Sequence, residues 1–552
     1  MLAIPFEYYL RPVDWIGVAV LVPSVLLMVL ILLANGFEFA EMFWRGNLGR
    51  RFAAKPLPAH LPQPKVSIHL ACCNEPPDMV IATINSLLAL DYQNFEVLVI
   101  DNNTRDEAMW RPVQEHVARL DQRFRFFHLP KWPGYKAGAL NFALSQTSPD
   151  AQIIGVVDAD YLVRPNWLRD LVGHFEPGVA VVQAPQAHRD WGRQVFQRMM
   201  NWEFDGFFRI GMHHRNERDA IIQHGTMMLV RADLLRAHGN WSEWCICEDT
   251  ELGLRLMQAG WSSVYVDEVM GQGLTPDHFA AFRKQRRRWA QGGMQILRGH
   301  AAELLTWRGK AQGARLTPAQ RYHFVAGWMS WFGDALHLVF AFAAMFWTIG
   351  IMAVPHLVSL PILLFMLPVF VFFAGKAVMG PLLYWARVPC SLKDSLGAAV
   401  AGMGLSHGIA TGVFAGLTGR SAVFEITAKG AGAAGGRRRE SGWMAALAAS
   451  RFGKAVGMAR EEAGLLLAMT LCIIGMAVTR KADHIESALW MSILALQAVP
   501  YLAAVTCAWL SGAKARVTEP EERSGRLPIA TRHEGANAMG SRGALATRTI
   551  VG

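Results

Sequence analysis

"FEVLVIDNN", residues 95–103, reads as a buried strand that runs directly into one acid and two amides. Upstream, "VSIHL" (66–70) is another short β-branched strand, followed by a helical stretch around Met79 to Leu90. Downstream, "IIGVV" (153–157) runs into Asp158-Ala159-Asp160. Strands alternating with helical segments predict the βαβ pattern of a parallel α/β sheet. In open parallel sheets ligands bind outside the carboxyl ends of the strands, so acidic clusters at two such ends point to one crevice. Asp158 and Asp160, two apart on an extended backbone, project to the same side and repel. A divalent cation with oxygen ligands relieves that repulsion and can neutralise a diphosphate. The plainer reading is a polar turn after a strand, where Asp and Asn are common.

Around this core the composition is that of a membrane protein with a sizeable soluble part. The chain has 552 residues, 52% of them hydrophobic, and a mean hydropathy of +0.20, too apolar for an ordinary soluble protein of that length. Uncharged runs at Ile16–Ala34, Ala335–Pro355, Leu357–Gly375, Ala463–Thr479 and Ser487–Ala513 can each cross a hydrocarbon core. Residues 1–15 lack a basic n-region and a small-residue cleavage site, so the first run is expected to stay as an anchor. The net charge of +10 sits mostly beside these runs, which favours a membrane surface over nucleic acid. Arg45, Arg50, Arg51 and Lys55 follow the first span, and only Arg11 precedes it, so residues 50 onward are expected inside. Ser395 to Leu417 reads as a Gly/Ala-rich interfacial helix on that inner side, because a crossing would place the basic loop after it, including Arg437–Arg439, outside. Asp334 is expected at the interface or facing a water-filled path.

Two later stretches carry chemistry. "CICEDTELGLRL" (245–256) puts Glu248 and Asp249 at a helix start, where acids can complement the helix dipole, or one can serve as a general base toward a sugar hydroxyl. "QRRRWAQGG" (285–293) sets Gln285, Arg288 and Trp289 at i, i+3 and i+4 of a short helix beside two glycines. An amide, a guanidinium and an indole on one face suit a diphosphate next to a sugar ring. Arg286 and Arg287 point elsewhere, to the membrane-facing or solvated side. His213-His214 would need further ligands to hold a metal, so a polar surface or a hydrogen-bonding role at a channel mouth is preferred.

Asp101, Asp158-x-Asp160, Glu248-Asp249 and Gln285-x-x-Arg288-Trp289 together resemble, in order and spacing, the processive family 2 glycosyltransferases. Cellulose, hyaluronan, chitin and β-1,3-glucan synthases are among them. The resemblance covers residues 65–300 and continues to about 510 in span layout. It implies a GT-A type (Rossmann-like) α/β cytosolic catalytic domain inserted in an α-helical transmembrane domain of about five spans plus interfacial helices. The corresponding boundaries are 1–49 (first span), 50–318 (catalytic domain), 319–513 (channel, with a gating loop at about 417–440) and 514–552 (disordered tail).

By the same resemblance, Glu75 and Asp101 contact the uridine, and Lys136 lies near the nucleotide. Asp158 and Asp160 hold UDP and Mg²⁺ or Mn²⁺, with Asp160 the more direct ligand. Asp249 is the base, with Glu248 beside it; Gln285 and Arg288 bind pyrophosphate; Trp289, Gly225 and Thr226 meet the acceptor. "FEITAK" (424–429) is similar to the gating loop of cellulose synthase, so Thr427 and Lys429 reach over bound UDP. Cys247 stands where Thr is usual, His224 where Cys is usual, and no PilZ-type module follows the last span. These departures, with the wording of residues 221–231 and 244–256, tilt the resemblance toward bacterial β-1,3-glucan synthases of the curdlan or cyclic-glucan kind.

The implied activity is a processive inverting β-glucan synthase of the inner membrane. It draws on UDP-glucose, a growing polysaccharide acceptor and membrane lipids, with room for periplasmic or outer-membrane export partners. Three alternatives stay open: one-sugar transfer to a lipid carrier, another processive polymer such as cellulose or one containing N-acetylglucosamine, and a nucleotide-sensing receptor built on an inactive domain.

Overall fold

The computed structural model describes residues 12–44, 50, 52–58, 60–192, 194–305, 316–355, 358, 362–419, 450–479 and 485–512. The expected tail at 514–552 and residues 420–440 of the expected gating loop, with Thr427 and Lys429, lie outside the described residues.

The strands are β1 Val66–Cys72, β2 Phe95–Asn102, β3 Phe124–Leu129, β4 Ile153–Asp158, β5 Leu162–Val163, β6 Val179–Gln183, β7 Met228–Arg231, β8 Ser262–Tyr265 and β9 Gly271–Gln272. Seven of them form one sheet in the order β3-β2-β1-β4-β7-β6-β8, and β5 pairs with β9 in a two-stranded ribbon. β1 is parallel to both β2 and β4, β2 to β3, and β6 to β8, whereas β7 runs antiparallel to β4 and β6. The fold is the expected GT-A type α/β domain, with a sheet that is mostly rather than wholly parallel. β7 escapes the sequence pattern because a strand buried along its length shows an apolar run that carries no sign of direction.

The first strands are almost continuously buried, with Ile68, Leu70, Val97, Val99 and Val157 wholly inside. The helices Pro77–Leu88 and Tyr135–Gln146 cover the sheet. Helix Pro77–Leu88 opens with Pro in its first turn, where the missing N–H has no intrahelical partner to lose.

Five of the described helices are long and apolar enough to cross a membrane: Val25–Phe43, Pro318–Ala353, Phe365–Arg387, Arg460–Thr479 and Ile485–Ser511. The second of these starts at a capping box, Thr317 with Gln320, and absorbs the aromatic stretch 319–334 into one continuous helix. The segment read as one interfacial helix is two, Leu392–Gly404 and Ser406–Leu417, bent by 42°. Asp334 lies in the interior of the helical part, 1% exposed, and accepts a hydrogen bond from Ser406 at 2.7 Å.

Candidate active site

Parallel pairing brings the acids together. In the β1 register, Cys72 faces Asp101 of β2 and Ala71 faces Asp158 of β4, so both carboxylates leave the sheet at one edge. The antiparallel course of β7 carries Gly225 and Thr226, just before it, to the same edge. The Thr226 hydroxyl oxygen accepts the Asp158 backbone N–H at 3.0 Å. Helix Tyr135–Gln146 is entered through two consecutive left-handed residues, Gly134 (φ 77°) and Tyr135 (φ 52°), a turn that a non-glycine adopts at a cost. That turn places Lys136 so that its ammonium donates to Asp158 at 2.5 Å and to the Gly225 carbonyl at 2.8 Å.

Glu248 and Asp249 open helix Glu248–Gln258. Asp249 accepts its neighbour's N–H, from Thr250, at 2.7 Å. A side chain at Gly225 would come within 2.9 Å of the Lys136 ammonium and 3.0 Å of Asp249, so the glycine keeps the space between acid and base open. Burial first, and then the Asp249 charge, push the Glu248 carboxyl up to about 7. Asp249 is raised as well, chiefly by burial, with Lys136 acting in the opposite sense. Burial disfavours the Lys136 ammonium, yet Asp158, Glu248 and Asp249 together outweigh it and hold the amine charged beyond its usual range. Asp160 is buried, and one of its oxygens accepts the Leu274 N–H at 2.7 Å.

These residues line a cavity of about 1650 Å³. Glu75, Lys136, Asp158, Asp160, Gly225, Glu248, Asp249, Gln285, Arg288 and Trp289 all reach its wall, whereas Asp101 and Thr226 sit behind it. Asp101 acts through His128, whose Nδ1 lies 2.7 Å from its carboxylate, and through Thr104, which donates at 2.6 Å. Burial raises the Asp101 carboxyl, and those two partners work against the rise. His128 stacks on Trp110, ring centroids 4.2 Å apart, and both face the cavity. The sequence reading missed this pair. Its signal was "FRFFHL" (124–129), a strand whose end meets the same edge, with His128 in register with Asp101.

The stretch 285–293 departs from expectation in two ways. Helix Phe279–Gly299 is long, and Gly292 and Gly293 lie within it rather than beside it. A side chain at Gly292 would come within 2.3 Å of the Cys247 sulfur, and one at Gly293 within 2.6 Å of Trp331, so both glycines serve close packing. Arg287 is exposed, as expected, but Arg286 is not on a solvated side. Its guanidinium pairs with Glu203 and lies over the Trp289 ring, 4.4 Å from the centroid, at the cavity wall. Arg286 and Trp289 stand at i and i+3 of the helix, so they are neighbours on its surface, and Glu203, from another helix, holds the guanidinium across the indole. His224 is a half-buried ring at the cavity wall against Phe207 and Phe208, its pKa lowered to about 3 first by desolvation and then by Arg286.

Residues 62–292 match the family described as Glycosyltransferase like family 2. The chain is 28% identical over 251 residues to a probable glucomannan 4-beta-mannosyltransferase 1 of Arabidopsis thaliana, covering 44% of this chain and 45% of that protein. It is 25% identical over 305 residues to a putative cellulose synthase 2 of Komagataeibacter xylinus, covering 52% of this chain and 18% of that one. The chain thus spans less than half the length of these curated relatives. A solved structure of the mannosyltransferase PcManGT from Pyrobaculum calidifontis, in complex with GDP-Man and Mn2+, aligns with a TM-score of 0.46 at 16% identity, covering 72% of this chain and 99% of that one.

Proposed function

We propose that this chain is a processive, inverting glycosyltransferase of the inner membrane that extends a β-glucan from UDP-glucose, β-1,3 in preference to β-1,4, and passes the polymer through its own spans. The observation that carries this reading is the continuity of one cavity. The cavity runs from His128, Lys136 and Asp158 past Glu248 and Asp249 to Trp289, and on to Trp328 and Trp331 of a spanning helix. A transferase that releases each product to a carrier has no need of an aromatic path leading from its acceptor site into the membrane helices.

In this reading Asp249 takes the proton of an acceptor hydroxyl, whose oxygen attacks the anomeric carbon as the bond to UDP breaks on the opposite face. One displacement converts an α-linked donor into a β-linked product. Gln285 and Arg288 receive the charge that develops on the departing diphosphate. Trp289 offers the acceptor ring an apolar surface, held in place by Arg286. Lys136 keeps Asp158 turned into the site, and Thr427 and Lys429 close over UDP.

Asp158 and Asp160 form a pair of hard oxygen donors at a strand end, the set that Mg²⁺ or Mn²⁺ takes. Bound there, the ion supplies charge neutralisation for the diphosphate. The catalytic domain faces the cytosol in this reading, as the basic residues after the first helix favour.

A β-mannosyl polymer is the second reading, favoured by the similarity to a glucomannan mannosyltransferase. The deciding experiment supplies purified protein separately with UDP-glucose, UDP-N-acetylglucosamine and GDP-mannose, with Mg²⁺ or Mn²⁺, and digests the product with linkage-specific hydrolases. A polymer made from UDP-glucose and cut by β-1,3-glucanase alone supports the first reading. Polymer from GDP-mannose only selects the second. Nucleotide release without polymer points to a lipid carrier, and no release from any donor removes the enzymatic assignment.

A further inference from the structure

Away from the catalytic acids, three polar side chains from three distant parts of the chain converge at the membrane side of the domain. Glu38 comes from the first helix, Pro12–Trp44; His214 from the short helix His213–Glu217; and His323 from the spanning helix Pro318–Ala353. One potential ligand atom of each lies within 4.8 Å of the others. The side chains are 15%, 4% and 2% exposed respectively. Glu38 Oε1, His214 Nε2 and His323 Nδ1 are all buried without a hydrogen-bond partner.

Leaving one such atom unsatisfied is costly, and three pointing at one another is a pattern that protein groups have not resolved among themselves. The neighbours do not resolve it either. Glu41 Oε2 lies 3.1 Å from His214 Nε2 without hydrogen-bond alignment, and the other oxygen of Glu41 accepts from Arg218 at 2.7 Å. Arg215 is 4.0 Å from Glu38 Oε1, beyond hydrogen-bond range, and donates instead to the Gly211 carbonyl at 3.1 Å. The rings of His214 and His323 stand nearly perpendicular, 4.7 Å apart.

We propose that Glu38, His214 and His323 bind a zinc ion, with the Glu41 carboxylate or a water molecule completing the coordination. Two imidazole nitrogens and one carboxylate suit Zn²⁺, whereas Mg²⁺ takes oxygen ligands almost exclusively. Tetrahedral zinc places its ligand atoms roughly 3.3–3.5 Å apart. His323 Nδ1 and Glu38 Oε1 stand at 3.9 Å, and all three ligand atoms lie within 4.8 Å of one another, so side-chain movements of about 1 Å close the site. The ion pins the first helix, the catalytic domain and the second spanning helix at one point, at the margin of the cavity that Glu38 helps to line. The site is separate from Asp158 and Asp160 and does not depend on which sugar is transferred.

The test uses the full-length protein, purified in detergent without a polyhistidine tag, and metal analysis by mass spectrometry. One zinc per chain is expected, removed by a strong chelator, restored by zinc chloride and not displaced by excess Mg²⁺. His214→Gln and His323→Gln should each reduce zinc to background, while Asp160→Asn retains it. Zinc should raise the melting temperature of the chelator-treated protein by several degrees and leave that of His323→Gln unchanged. If either variant folds poorly, cobalt uptake by the parent protein decides, through the visible bands of a tetrahedral site. Zinc retained by both histidine variants, or a parent protein that takes up neither zinc nor cobalt and shows no thermal shift, overturns the proposal.

Discussion

Glu248 and Asp249 share a buried corner in which at least one proton is held at pH values where an ordinary Glu, at 4.5, has lost it. A base that carries a proton cannot accept one. Glu248 takes up a proton as pH falls through about 7, and the Asp249 carboxyl is also raised, chiefly by burial, so kcat/KM should decline on the acid side as Asp249 is protonated, read as UDP release against pH. Asp249→Asn should lower transfer by roughly 10²–10⁴-fold with UDP affinity nearly intact, measured by calorimetry on the variant. A variant with full activity removes Asp249 from its role. Arg286 yields a separate prediction, because its guanidinium covers one face of Trp289 and is held by Glu203. Arg286→Ala should shorten the polymer and slow elongation as Trp289→Ala does, with UDP binding changed by no more than about twofold, since a cation–π contact of order 1 kcal/mol positions the indole rather than the nucleotide. An unchanged product length in Arg286→Ala would separate the two residues.

The helix Phe279–Gly299 is the element on which the site depends, and it is seated by glycines on two sides. Gly292 lets it approach Cys247, the residue before the Glu248–Asp249 pair. From the partner helix, Gly408, Gly412 and Gly416 recur every fourth residue, and a side chain at any of them would come within 2.6 Å of Arg283, Arg287 or Met294. At Gly412 the obstacle is the Arg287 carbonyl, at 2.4 Å, which is backbone and cannot swing aside. Gly412→Val should therefore push the two helices apart, at an overpacking cost of about 1–3 kcal/mol, and lower polymer synthesis. Gly457→Val, where an added side chain meets nothing, is the control that should retain synthesis. Activity and melting temperature measured together distinguish a displaced Gln285–Trp289 face from general unfolding.

Across the whole molecule, ion pairs tie the catalytic domain to the helical part: Arg283 to Glu462, which is fully buried, and Arg198 to Asp394. Replacing Arg283 alone by Met leaves Glu462 as an uncompensated buried charge and should cost about 3–5 kcal/mol, whereas replacing both residues by Met should cost much less. Denaturant unfolding in detergent measures the difference, and equal losses in the two variants would show that the pair is not coupled. The chain by itself determined the strand–helix alternation, the acids at the ends of β2 and β4, the apolar runs that became helices long enough to cross a membrane and the Gln285–Arg288–Trp289 face. Each of these follows from local periodicity or from the chemistry at a strand end, and neither needs a distant partner. Only the tertiary structure decided the direction of β7, the burial of Asp101 behind His128, the seat of Arg286 on Trp289 and the meeting of Glu38, His214 and His323. Those outcomes depend on which remote segments pack together, and a buried strand or a lone histidine has the same local pattern whatever it packs against.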